Sequence, residues 1–182
     1  MAQHVCPWWL AYTFDNPLRR IFHKPEKIFA PYLSEGITAI DLGCGMGYFS
    51  FGMAKIVGET GKIISVDLQQ KMLDTLTQRA RKAGVANRIA TLRCEGNNIG
   101  SHETVDFALA FWMAHETPDV LSFLQQVHAI LKTSGKLLIA EPKGHVTVAE
   151  FKKTMSIAQA IGFKPIDSPI ISLSHASLFE KP

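Results

Sequence analysis

The chain has 182 residues, 47% of them hydrophobic and 19% charged, with a formal net charge of +3. That composition fits one compact domain with its own core and excludes a disordered tail or a mini-protein. A membrane span is not expected either, because the most apolar stretch near the start, Val5 to Phe14, has about half the roughly twenty residues a spanning helix needs and is broken by Pro7.

In chain order, the first feature is aromatic. Trp8, Trp9, Tyr12, Phe14, Phe22, Phe29 and Tyr32 place 7 of the 17 aromatic residues in the first 35. Such a segment must bury against something. Asp15-Asn16-Pro17 offers an N-cap and a first-turn proline for a short helix, and Lys24-Pro25-Glu26 opens another that runs to about Leu33. From Ile37 short apolar runs alternate with amphipathic stretches, the signature of βαβ units and a parallel sheet.

Thr38 to Leu42 reads as the first strand, followed by a glycine loop and a helix from Tyr48 to Val57 that Gly58 ends. Lys62 to Leu68 is the second strand, and Gln69 to Ala83 a helix closed by Gly84. Ile89 to Cys94 and Val105 to Trp112 are the third and fourth strands. Thr117-Pro118-Asp119 starts a helix whose Val120, Leu121, Leu124, Val127 and Leu131 share one face at helical spacing. Lys136 to Ala140 is the fifth strand, and Thr147 to Glu150 is a capping box for a helix that stops at Gly162. Two last strands, near Phe163 to Ile171 and His175 to Glu180, are separated by only about three residues, which permits a hairpin but no parallel crossover. The final pair is therefore antiparallel. No repeat or long linker divides residues 1–182, so a single domain is expected, with 1–35 as an aromatic helical segment packed over the cleft.

Cys6, Cys44 and Cys94 are odd in number and form no CxxC pair, which points away from a disulfide framework or zinc cluster and toward a reducing compartment. His4 and Cys6 alone are too few for a metal site. A cytoplasmic address is expected in the absence of a basic-then-apolar leader. Residues 1 to 91 carry 11 Lys and Arg against 7 acids, and 92 to 182 carry 8 against 9. Much of the excess lies in Arg19, Arg20, Lys24 and Lys27, but no RNA-binding aromatic signature accompanies them, so nucleic acid is not the expected partner.

The chemistry concentrates in Asp41-Leu42-Gly43-Cys44-Gly45-Met46-Gly47, where a strand hands over to a helix. Glycines there allow a tight turn and the close approach of a ligand. A dinucleotide fingerprint counted from Gly43 needs its third glycine where Tyr48 stands, and counted from Gly45 needs one where Ser50 stands. No Lys-Ser or Lys-Thr follows to make a P-loop. What remains is D-x-G-x-G-x-G with Asp67 at the end of the second strand, placed to accept hydrogen bonds from both hydroxyls of a ribose. Together they describe a nucleoside ligand without a phosphate bridge.

Through Asp41 to Ser50, Val66-Asp67-Leu68 and Leu131 to Lys136, residues 37 to 182 resemble the S-adenosylmethionine-dependent methyltransferases with the Rossmann-like fold, with the nearest feel to the quinone-biosynthesis group. Where that family reads "LKPGG", this chain has Thr133-Ser134 in place of Pro-Gly. The resemblance implies an α/β, doubly wound sheet of seven strands, mostly parallel with an antiparallel last strand and helices on both faces. It implies S-adenosylmethionine as cofactor and S-adenosylhomocysteine as product. Gly43, Cys44, Gly45 and Gly47 would approach the methionine part, Asp41 would organise its amino end, Asp67 would hold the ribose and Leu68 would pack on the adenine. Glu95-Gly96 stands where an acid and a small residue follow the third strand, the acid reaching the adenine amino group; the plain alternative for Glu95 is an exposed strand-end carboxylate. Phe111 and Trp112 would lie beside the methionine moiety.

Methyl transfer from a sulfonium is an in-line displacement that needs alignment and exclusion of water more than catalytic groups. An acceptor that must lose a proton adds the need for a base. His115 and Glu116 follow the fourth strand, and Glu141, Lys143 and His145 follow the fifth, on the side where α/β sheets bind ligands. His115 is the expected base, ahead of His145. Trp8, Trp9 and Tyr12 would form a lid, with Trp112, Glu141 and His145 lining the acceptor side. A small-molecule acceptor is expected, with the oligomeric state open and a homodimer included. Two other classes remain: a cofactor-binding sensor or partner subunit without catalysis, and a nicotinamide dehydrogenase.

Overall fold

The computed structural model describes residues 19–96 and 98–182. The proposed lid residues Trp8, Trp9 and Tyr12, the helix expected at Asp15 and the pair His4 and Cys6 lie outside the described residues. Two short helices, α1 (Arg19–Phe22) and α2 (Pro25–Phe29), lead into β1 (Thr38–Leu42), α3 (Tyr48–Ile56), β2 (Lys62–Asp67), α4 (Gln70–Lys82), β3 (Ile89–Arg93) and β4 (Val105–Phe111). A short 3-10 turn at Ala114–Glu116 precedes α5 (Val120–Ile130), which runs into β5 (Leu131–Pro142), α6 (Val148–Ile161), β6 (Lys164–Asp167) and β7 (Ser174–Glu180).

The seven strands form one sheet in the order β3-β2-β1-β4-β5-β7-β6. β1 pairs in parallel with β2 and β4, β2 with β3, and β4 with β5, whereas β7 is antiparallel to both β5 and β6. The Rossmann-like architecture expected from the sequence is the one observed. The order reverses at β1, between β2 and β4, so the crevice at the carboxyl ends of β1 and β4 is where this class of sheet receives ligands.

Strand alternation sorts the core into two layers. Ile40, Leu42, Ile64 and Val66 face the layer covered by α5 and α6, with Leu124 and Val127 among its members. Ala39, Ile63, Phe107 and Leu109 face the other, with Phe29, Phe49 and Met53 from α2 and α3. Asp41 and Ser65 fall on the second face, under α3. The second entry helix is tied to this layer by a close contact: a Cβ on Gly52 would lie 2.2 Å from the Pro25 Cβ, so α2 sits directly on the α3 backbone. Tyr32 stacks on Phe107 there.

Helix ends follow their local chemistry. Thr147 and Glu150 cap α6 reciprocally, Gly162 closes it at φ 117°, and Asp119 accepts from Leu121 and Ser122 N–H at the start of α5. Three expectations are corrected. The buried face of α5 is Phe123, Leu124, Val127 and Ile130, with Leu121 exposed, because this helix is apolar on several sides and docking on the sheet selects among them. Leu131 belongs to β5, where it pairs with Val105, so that strand begins at the helix end rather than at Lys136. β6 stops at Asp167, leaving Ser168 to Leu173 as the link to β7. All four β6 residues are exposed, and its pairing shifts register between Pro165 and Asp167.

Candidate active site

Between β1 and α3, Gly43, Gly45 and Gly47 adopt left-handed φ values of 69°, 53° and 90°. The reasons for glycine differ. A side chain at Gly43 would strike the Met113 Cβ at 2.8 Å, and one at Gly47 would strike Phe51 and Leu76 at 2.7 and 2.8 Å, whereas a Cβ on Gly45 meets nothing within 4 Å. The loop is closed around its two ends and open at its middle. Cys44 N–H donates to the Val66 carbonyl (2.9 Å) and Gly47 N–H to the Cys44 carbonyl (3.0 Å), fixing the turn against β2. Burial and the neighbouring Asp41 and Asp67 push the Cys44 thiol well above its ordinary pKa, so it stays protonated and acts as a small apolar residue.

Asp67 at the end of β2 is 8% exposed. Its Oδ2 accepts from Gly45 N–H and its Oδ1 from Gln69 N–H, both at 2.9 Å. Burial raises its pKa, and the backbone N–H groups pull it back down. Leu68 N–H also approaches the carboxylate, and of its about four acceptor sites the three backbone donors leave part unfilled. Acceptor capacity left over beside an open glycine matches a ribose hydroxyl and the close backbone approach an adenosyl ligand makes, and the residues present fit S-adenosylmethionine in that respect. Leu68 follows, half-buried. Glu95 and Gly96 are exposed at the mouth of a small bridge between Glu95 and Asn98, and a Cβ on Gly96 would also meet nothing within 4 Å.

Asp41 is 2% exposed and lies beneath the loop. Its Oδ2 accepts from Ser50 Oγ at 2.5 Å, and Ser50 Oγ accepts in turn from Ser65 Oγ at 2.9 Å. The chain of three binds the ends of β1 and β2 to the first turn of α3.

The ends of β4 and β5 carry the remaining candidates. Phe111 is buried, with Phe49 at a ring-centroid distance of 4.2 Å and Trp112 at 5.5 Å. Trp112 has φ 58°, uncommon for a bulky residue, and its Nε1–H donates to Ser174 Oγ at 2.9 Å. Two residues after Met113, the His115 ring Nδ1 lies 2.5 Å from Glu141 Oε2, and the His115 backbone N–H donates to Glu141 Oε1 at 3.0 Å. Glu141 is 1% exposed and the His115 side chain 24%. The hydrogen bond to Glu141 raises the His115 pKa above the ordinary histidine value, against desolvation, with Glu116 and Glu150 adding in the same direction. The exposed His145 meets His115 edge-on, ring centroids 6.1 Å apart. The structure thus brings His115, Glu141 and His145 together, and separately Gly45 and Asp67.

Three residues at these sites went unread in the sequence. His23, 1% exposed, sets its ring edge-on against Phe111 and Trp112, both at 5.2 Å, with Nε2 2.8 Å from the Ser172 carbonyl. Ser50 and Ser65 hold Asp41. None of them belongs to a contiguous motif, and only their placement on neighbouring elements could have pointed to them. A hollow of about 160 Å³ lies against Phe22, Lys24, Ile28 and Ile171 and is lined by none of the glycine-loop residues. No helix of the described residues is long and apolar enough to cross a membrane, and no cluster of three metal-ligating side chains occurs among them.

Comparison with known proteins supplies the remaining observations. The family described as Methyltransferase domain matches residues 33–165. A demethylmenaquinone methyltransferase of Lactobacillus johnsonii is 29% identical over 128 residues, 70% of this chain and 50% of that protein. The ubiquinone/menaquinone biosynthesis C-methyltransferase UbiE of Blochmanniella pennsylvanica is 30% identical over 65% of this chain and 48% of its own length. The chain spans about half the length of the curated relatives it matches. Among solved structures, a SAM-dependent methyltransferase from Aquifex aeolicus superposes with a TM-score of 0.88 at 24% identity, covering 98% of this chain and 100% of that one.

Proposed function

Because the chain belongs to the family of methyltransferase domains, we propose that it transfers a methyl group from S-adenosylmethionine to a small quinone-type acceptor. The observation that carries this reading is Asp67, whose carboxylate keeps acceptor capacity beyond its backbone donors beside a glycine that leaves open space. The acceptor class is supported by relatives named as demethylmenaquinone and ubiquinone/menaquinone methyltransferases.

In this reading Asp67 takes the ribose hydroxyls, and the backbone at Gly43, Cys44, Gly45 and Gly47 lies along the methionine part. Leu68, Glu95 and Gly96 border the adenine, and Phe111 walls the sulfur side. Asp41 works from beneath, keeping the first turn of α3 and the loop in register through Ser50. Trp112, Glu141 and His145 border the acceptor, with Trp8, Trp9 and Tyr12 as its cover. The bound cofactor supplies an electrophilic methyl on a sulfonium. The protein's part is to align the acceptor with it, exclude water, and take up any proton the acceptor releases, a role that falls to His115.

The test is binding followed by turnover. Calorimetry should detect S-adenosylhomocysteine binding, and methyl-labelled cofactor should label a 1,4-naphthoquinol that has a free ring carbon. Binding without label in any quinol or metabolite extract would make the chain a cofactor-binding subunit. Retention of NAD with no response to S-adenosylhomocysteine would overturn the proposal.

A further inference from the structure

Glu141 lies at the carboxyl end of β5 and His115 just beyond β4, and the two strands pair in parallel up to Phe111 and Ala140. That register delivers the carboxylate to the histidine. Both of its oxygens are committed to the same residue: Oε2 to ring Nδ1 and Oε1 to the backbone N–H. A carboxylate held at both oxygens cannot swing away, and a ring whose residue is gripped at two points cannot rotate freely. With Oε1 already accepting the backbone N–H, Oε2 serves as the acceptor at the short contact when the ring proton sits on Nδ1. In the neutral ring, Nε2 then carries the lone pair, and among the described residues it makes no hydrogen bond.

From this geometry we infer that Glu141 is a positioning residue, which holds His115 in the tautomer with Nε2 as proton acceptor, and that the methyl acceptor is accordingly one that must lose a proton, a hydroxylated ring methylated at carbon or oxygen. The inference deepens the methyl-transfer reading and rests on it for the nature of the reaction. In the balanced step, the acceptor's ring electrons or oxygen lone pair form the bond to the methyl carbon while the carbon–sulfur bond breaks, leaving a neutral thioether. The proton leaves the acceptor's carbon or hydroxyl for His115 Nε2. The imidazolium so formed faces the Glu141 carboxylate directly, with Glu116 and Glu150 further out and His145 edge-on. A raised histidine pKa is the expected companion of such a pair, since the carboxylate favours the charged ring. Buried behind its histidine, Glu141 has no contact with solvent that would explain it as a surface group; its two oxygens are used on His115.

Nitrogen-15 NMR of the full chain tests the dyad without turnover. Neutral wild-type His115 should carry its proton on Nδ1 and titrate above the ordinary histidine value, with S-adenosylhomocysteine present or absent. In Glu141→Gln the midpoint should fall, and kcat for a quinol acceptor should drop about 100-fold, within the range general bases contribute. The acidic limb of its pH profile should move with the midpoint while KM for the cofactor holds. Glu141→Asp should restore part of the shift. A neutral wild-type ring protonated on Nε2 overturns the inference, as does an unmoved midpoint in a folded Glu141→Gln protein. An Nδ1–H ring in a chain that transfers no methyl to any quinol or metabolite extract would leave the dyad intact and refute the methyl-transfer reading instead.

Discussion

Replacing Gly45 by alanine separates the ligand's demands from those of the fold. The three glycines share a left-handed backbone, yet only Gly45 has nothing within 4 Å of the position its Cβ would take. Gly45→Ala therefore adds no clash in the protein and costs only the left-handed penalty, about 1–2 kcal/mol. Leu173, Ser134 and Trp112 already carry that penalty elsewhere in this chain. For a domain of this size the melting temperature should fall by roughly 2–8 °C. Gly43→Ala and Gly47→Ala add overlaps at 2.8 and 2.7 Å with Met113 and Phe51 to the same strain, and overpacking contributes about another 1–3 kcal/mol. For binding the effect should be large at Gly45, because the new methyl enters the open space beside the Asp67 carboxylate. Urea denaturation gives the stability change, and calorimetry with S-adenosylhomocysteine gives affinity on protein that is still fully folded. A loss of tenfold or more, about 1.4 kcal/mol, is expected for Gly45→Ala. Wild-type affinity in that variant would show that the ligand does not pass over the loop, and the reasoning from Asp67 would go with it.

Asp67→Asn turns an amide NH2 toward either Gly45 N–H or Gln69 N–H, and a buried donor left facing a donor costs about 1–3 kcal/mol. The variant should melt lower and be stabilised far less by S-adenosylhomocysteine than the wild type, as read by a ligand-dependent thermal shift. Gly52→Ala reverses the usual sign of a helix-interior glycine change. Alanine would add about 1 kcal/mol in an open helix, but here its Cβ lies 2.2 Å from Pro25 Cβ, so α2 must lift from α3; limited proteolysis should cut near residues 24–30 faster. The folded state binds the His115 proton more tightly than the unfolded chain does, so its contribution to stability is complete below about pH 6.5, the unfolded value, and vanishes as pH rises through the higher folded value. The stability gap between wild type and His115→Asn, measured by urea titration, should narrow over that interval, and a gap that widens with pH would contradict the pairing.

Much of this architecture was readable because its signals are local. Thr147 and Glu150 lie three apart and cap their helix without help from the rest of the chain, and the run from Asp41 to Gly47 keeps strand, loop and helix start within one stretch. The face of α5 was harder. Val120, Leu121, Phe123, Leu124, Val127 and Ile130 offer more apolar positions than one stripe can use, and only contact with the sheet decides that Leu121 stays out. The candidate site divides in the same way. Counting glycines located the loop, but the reason each is glycine lies in Met113, Phe51 and Leu76, which no spacing rule connects to it. His115 and Glu141 were assigned to the same edge of the sheet from strand order alone. Their bidentate contact depends on the residue-by-residue register of β4 with β5, which periodicity does not specify.

The exposed last strand of the sheet also bears on how copies of this chain meet. Continuing a sheet from one molecule into the next requires a straight row of amide donors and carbonyl acceptors along the outer edge. On β6, Pro165 has no amide hydrogen to offer, and the irregular pairing before Asp167 bends the row. Self-association by strand addition on that flank is thereby discouraged.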